Sequence, residues 1–134
     1  MRKMTWYCLL LCVIAVAVGC AGLTQARLER FEVTARAYER ALRWSDFQMA
    51  FALTANPEAP LPDFRRLKNI RITSYDVVGE PRADSETQRL AQTVQIHYVN
   101  QNNMSERVLM DEQLWTYSEN DKRWKLKSAF PEFR

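Results

Sequence analysis

The chain has 134 residues, enough for one domain and too few for two ordinary ones. Its charged fraction of 26% and hydrophobic fraction of 47% are those of a globular protein, and only three glycines exclude a Gly/Ser-rich disordered chain. The formal charge of +3 includes Arg2 and Lys3, which lie in a segment expected to be cut away. Without them the excess falls to one, which offers no electrostatic case for nucleic acid or for a strongly anionic membrane surface.

Met1-Arg2-Lys3 is a short cationic start. Residues from Met4 to Val18 are almost wholly apolar, a run of the right length for the core of an export signal and short for a spanning helix, which needs about 20 residues. The run ends in Ala17-Val18-Gly19-Cys20. Charge, apolar run, small residues and Cys in this order resemble the lipobox signal of bacterial lipoproteins, with Ala17 where Leu is commonest. The resemblance implies that residues 1–19 are a cleaved signal peptide and that residues 20–23 are a lipidated tether. The Cys20 sulfur would take a diacylglycerol and its new amine an acyl chain such as palmitate. It also implies a domain in the periplasm at the outer membrane, because Ala21 rather than Asp follows the Cys; with other sorting the anchor stays on the outer face of the inner membrane. The alternative is an uncleaved signal anchor with Cys20 an ordinary thiol. Each buried methylene contributes about 0.8 kcal/mol, so two or three chains hold where one would leak. Cys8 and Cys12 leave with the signal, so no thiol remains for a disulfide, a metal or a nucleophile, and the domain must stand on its core alone.

Residues 24–43 read as a helix, with Leu28, Phe31, Ala35, Tyr38 and Leu42 on one face and Glu29, Glu32, Arg36, Arg40 and Arg43 on the other. Trp44-Ser45-Asp46 interrupts it. Ser45 or Asp46 caps a second, short helix through Leu53, whose apolar residues Phe47, Met49, Ala50, Phe51 and Leu53 predict burial on most sides. Three prolines between Asn56 and Pro62 predict a loop. From there the period becomes two. Strands are expected at about 68–78, 88–99, 106–118 and from 123 onward, joined by turns at 80–85, 100–103 and 119–122. The third strand is apolar on both sides and reads as central. In the last, Trp124, Leu126 and Ser128 alternate with Arg123, Lys125 and Lys127, the pattern of a half-buried edge.

Two helices before a four-stranded antiparallel meander make an α+β layout. This order resembles the NTF2-like (SnoaL-like, cystatin-like) superfamily, on the stretch from Ala41 to Leu53, which looks like its opening helix-break-helix, and on Trp124-Lys125-Leu126-Lys127-Ser128, which looks like its closing strand. The resemblance covers residues 24–130 of the expected domain, 24–134. It implies two N-terminal helices packed on a curved sheet that forms a cone, shallower here because an extra hairpin is missing.

His97 is the single histidine. A catalytic role would need a partner to set its tautomer, and Asp111 or Glu112 on the neighbouring strand are candidates if the register allows. The commoner reading of such a residue is an exposed strand histidine. Adjacent strand residues point to opposite faces, so Asp111 and Glu112 make no glycosidase pair. Ligand spacing for a metal, a phosphate loop and a Ser nucleophile motif are all missing. No cofactor is expected beyond the lipid on Cys20. Tyr38, Tyr98 and Trp115 are candidates to line an apolar cavity, whereas Phe47, Phe51 and Trp124 read as core. The functional expectation is a non-catalytic binding or envelope-assembly module that meets the membrane through its lipid and has another envelope protein or an apolar small molecule as partner. The alternatives are a small NTF2-like enzyme using His97 with a carboxylate, and a carrier of an apolar ligand.

Overall fold

The computed structural model describes residues 25–55, 59–84, 86 and 88–134. The expected signal peptide, Cys20 and its tether lie outside these residues. By its contacts Val33–Arg134 is one compact unit, and residues 25–32 belong to another. Residues 25–43 are helical (α1), as the 3.6-residue period predicts. Phe31 is buried, and so are Tyr38, Ala41 and Leu42, while Arg36, Arg40 and Arg43 face solvent. Glu39 pairs with Arg43 one turn on, at 3.5 Å.

Ser45 takes a left-handed backbone (φ 59°) and breaks the helix. Asp46 then caps α2 (Phe47–Ala52), its carboxylate accepting from the Met49 N–H at 3.1 Å. The expectation that α2 is buried on most sides is not met. Only Phe47 and Ala50 are buried, Phe51 is half-buried and Met49 lies in solvent, because a helix this short lays one face on its support. After the prolines a further turn, α3 (Phe64–Leu67), is capped by Asp63. Four residues are too few to leave a helical period in a sequence.

The sheet is antiparallel and open, in the order β1 (Ile70–Asp84), β2 (Arg89–Asn100), β3 (Ser105–Ser118), β4 (Arg123–Leu126). This is the α+β meander expected, with β3 inside it. The turn expected over 80–85 is corrected: β1 runs on to Asp84 through an irregularity in which Val78 opposes Thr93 but Arg82 opposes Ala91. Gly79 supplies the positive φ (75°) there, and Pro81 is tolerated because an edge strand need not donate every N–H. On β4, Trp124 and Leu126 are buried while Arg123 is exposed, the alternation expected. Its outer edge is not bare. Leu126 N donates to Leu53 O (3.0 Å) and Ala55 N donates to Leu126 O (2.7 Å), so the end of α2 covers it. The C-terminal tail folds back until the Phe133 ring lies between Phe47 and Tyr98, at 5.7 and 5.2 Å. No helix among the described residues is long and apolar enough to cross a membrane.

Candidate functional site

Strand alternation and register decide which side chains share a face. Leu90 opposes Trp115, Gln92 opposes Gln113 and Val94 opposes Asp111, while Tyr75 of β1 joins the same face opposite Ile96. All of these are buried, so Gln92, Asp111 and Gln113 stand as polar side chains in an apolar surround. Each must find a partner or cost about 1–3 kcal/mol.

Gln113, 1% exposed, is the hub that satisfies them. Its Oε1 accepts from Gln92 Nε2 (2.8 Å), Trp115 Nε1 (3.1 Å) and the Tyr75 hydroxyl (3.3 Å). Its Nε2 donates to Asp111 Oδ2 (2.8 Å) and Tyr75 Oη (2.9 Å). An indole N–H can only donate and a carboxylate oxygen only accept, so Trp115 and Asp111 together fix which end of the amide points where. Tyr38 reaches the cluster from α1. Its ring meets Trp115 edge-on, with centroids 5.5 Å apart, and its fully buried hydroxyl has no hydrogen-bond partner among the described residues.

Burial pushes the Asp111 carboxyl up from its ordinary value, with the Gln113 hydrogen bond pulling it back in part. Burial likewise lifts the Tyr38 phenol well above its usual range, reinforced by the charge of Asp111. Tyr75 is raised by burial too, and Asp111 and Glu39 add to this while its bond with Gln113 opposes it. Both phenols therefore keep their protons. The cluster is a set of hydrogen-bond donors gathered around one carboxyl.

The raised Asp111 pKa carries a pH dependence of known sign. The folded chain holds this proton more tightly than the unfolded chain, so the contribution to stability is full below the ordinary carboxyl pKa of about 3.9 and is lost as pH rises through the raised folded value. Asp111→Asn is expected to flatten that slope. Urea midpoints across a pH series check it, and a slope unchanged in the variant would assign the dependence to other groups.

His97 stands on the other face of the sheet, opposite Ser74 and Val108. Its Nε2 lies 2.9 Å from the side-chain nitrogen of Gln95, two residues back on the same strand face. Asp111 faces away from it. Glu112 shares its face but opposes Thr93, with the Gln95–Met110 pair between them. Neither carboxylate is brought to His97. Among the three cavity candidates, Tyr38 and Trp115 meet in the cluster. Tyr98 does not: its hydroxyl donates to Arg134 O (3.3 Å) and accepts from Arg134 N (3.2 Å), tying down the tail. Tyr75, Gln92 and Gln113 are not among the sequence candidates. Gln92 nonetheless falls in phase with Leu90, Val94 and Ile96, and a polar residue in an apolar phase is the trace such a cluster leaves.

Elsewhere an open groove of about 550 Å³ runs between the proline-rich loop and the tail, lined by Pro60, Leu61, Pro62, Arg66, Phe130 and Phe133 among others. No three His, Cys, Asp or Glu side chains among the described residues come together as a metal site. Compared with family models, with curated proteins and with solved structures, the chain finds no match.

Proposed function

We propose that the chain is a bacterial lipoprotein, held through lipid on Cys20 at the periplasmic face of the outer membrane, whose NTF2-like domain is a non-catalytic binding or envelope-assembly module. Support for the anchor comes from the cationic start, the apolar run and Ala17-Val18-Gly19-Cys20. Support for the cone comes from the element order, from Tyr38 of α1 lying against Trp115 of β3, and from the two irregularities of register in β1, since bulges bend a strand. The observation that carries the non-catalytic reading is the inner-face network. Gln113 answers the polar groups of Gln92, Asp111 and Tyr75 from within the protein, while the register keeps His97 apart from Asp111 and Glu112.

Cys20→Ser is expected to abolish labelling by radioactive palmitate and to leave the protein unprocessed or released from membranes. Normal labelling and retention of the variant would refute the anchor.

A second reading, a small-ligand or catalytic cone, is favoured by one observation: the buried Tyr38 hydroxyl has no hydrogen-bond partner among the described residues and lies near enough to Asp111 to feel its charge. Complementation of a deletion strain separates the two. In a non-catalytic module His97→Gln and Tyr38→Phe both complement at normal protein level. Losing a general acid or base would instead cost on the order of 10²–10⁴ in rate. Failure of either folded variant moves the assignment to the second reading.

A further inference from the structure

The near-neutral balance of the domain hides how folding sorts its charges. At the corner where α1 gives way to α2, Arg43, Trp44 and Ser45 meet Lys68 from the end of α3 and Arg71 from the start of β1, and the five line one open depression. The next depression is lined by Arg65, Arg66, Asn69 and Asn102 together with Asp63. Asn102 belongs to the β2–β3 turn, and Met104 in that same turn is exposed. The first depression thus sets the exposed side chain of Trp44 among three cations. Trp44, 81% exposed, does nothing for the core.

The cations are arranged to meet anions from outside. Arg66, Lys68 and Arg71 are exposed, and none of their charged side-chain groups forms an ion pair with a carboxylate among the described residues. Asp63 is engaged as the cap of α3 and by Arg65 at 3.8 Å. Arg71 is held in place by one nitrogen: its Nη1 donates to Ser45 Oγ (2.9 Å) and to Ile70 O (3.4 Å), and Ser45 Oγ donates onward to Ile70 O (3.2 Å). The left-handed backbone of Ser45 puts that hydroxyl there. The Nε and Nη2 groups of the guanidinium are left for an acceptor that offers two oxygens side by side, a demand that a phosphate group meets. An exposed indole beside such cations has the chemistry of a headgroup layer, where Trp settles with its apolar body inward and its N–H wet.

We propose that this corner docks on a bilayer surface bearing anionic phospholipid, with Trp44 entering the headgroup layer and Arg66, Lys68 and Arg71 holding phosphate oxygens. The contact operates only at a membrane and in that respect rests on the location proposed above.

The test uses the full chain incorporated into phosphatidylcholine vesicles with and without phosphatidylglycerol, the lipids carrying brominated acyl chains that quench nearby Trp emission. Trp44→Phe isolates the signal of Trp44 from that of the other tryptophans, and being exposed it leaves the fold alone. Quenching at Trp44 is expected on the anionic vesicles, to be lost in high salt, and to be absent on the neutral ones. Lys68→Ala with Arg71→Ala is expected to lower the docked-to-undocked ratio by about tenfold or more, as for removal of two cations at an anionic surface; Lys68→Ala alone gives a smaller loss in the same direction. Equal quenching on both kinds of vesicle overturns the role of the anionic headgroup. No quenching on either overturns the membrane contact. A shift of Trp44 emission by inorganic phosphate, without quenching on anionic vesicles, overturns it in favour of a soluble phosphate ligand. Palmitate labelling of Cys20 is read separately, so failure of the anchor and failure of the docking surface are distinct results.

Discussion

Replacing Gln113 by leucine is expected to destabilise the domain by about 3–6 kcal/mol, the sum of several buried polar groups losing their partner at once. Gln92 Nε2, Trp115 Nε1 and Asp111 Oδ2 all bond to this one amide, and each is the end of a buried side chain. Leucine fills most of the volume, so the loss isolates hydrogen bonding from packing. Urea unfolding measures it. A loss under about 1 kcal/mol would mean that water enters and replaces the amide at little cost. The cost should also shrink in company: with Asp111→Leu already present, Gln113→Leu strands one fewer group, so the double variant should fall short of additivity. Gln113→Glu is a sharper probe, because it removes the Gln113 Nε2 donor to Asp111 and sets a second carboxylate beside it. Its destabilisation should grow as pH rises through the carboxyl range.

Trp115→Ala is expected to cost about 3–5 kcal/mol, the range for truncating a buried large aromatic. The residue is fully buried on β3 between its strand partners Leu90 and Leu126, and the Tyr38 ring lies edge-on against it. A domain of about 100 residues shifts its Tm by roughly 4–8 °C per kcal/mol, so thermal unfolding should move by well over ten degrees. Trp115→Phe keeps an apolar ring but removes the donor to Gln113, and should fall between wild type and alanine. A Tm within a few degrees of wild type for the alanine variant would place the core elsewhere.

The two predictions differ in how visible their residues were beforehand. Trp115 sits in a strand whose alternation with Tyr117 marks a buried phase, and an aromatic there reads as core or cavity wall. Gln113 lies in the same phase, but its role depends on Tyr75, 38 positions away, and on Gln92 across the β2–β3 register. No local pattern contains that coincidence. Likewise the pairing of His97 with Asp111 or Glu112 stayed open until the 101–104 turn set the register, since a shift of one residue exchanges the two faces.

What the sequence determines by itself is whatever depends on near neighbours: the helical period of α1, the break at Ser45 and the cap at Asp46, the alternation of β2 and β4, and the order of charge, apolar run and Cys at the N-terminus. Only the tertiary structure decided the rest. β1 continues past Gly79 and Pro81 because β2 is there to pair with it, a choice that turn propensity alone would reverse. Phe133 is buried because Phe47 and Tyr98 offer it a site, although the tail shows no period. Asp111 holds its proton more tightly because folding removes water around it. Trp44 is left outside among Arg43, Lys68 and Arg71, at the corner where the chain leaves α1 and Ser45 bonds to the first residue of β1. Burial and charge segregation are properties of distant segments brought together, and a one-dimensional pattern records only which segments are able to meet.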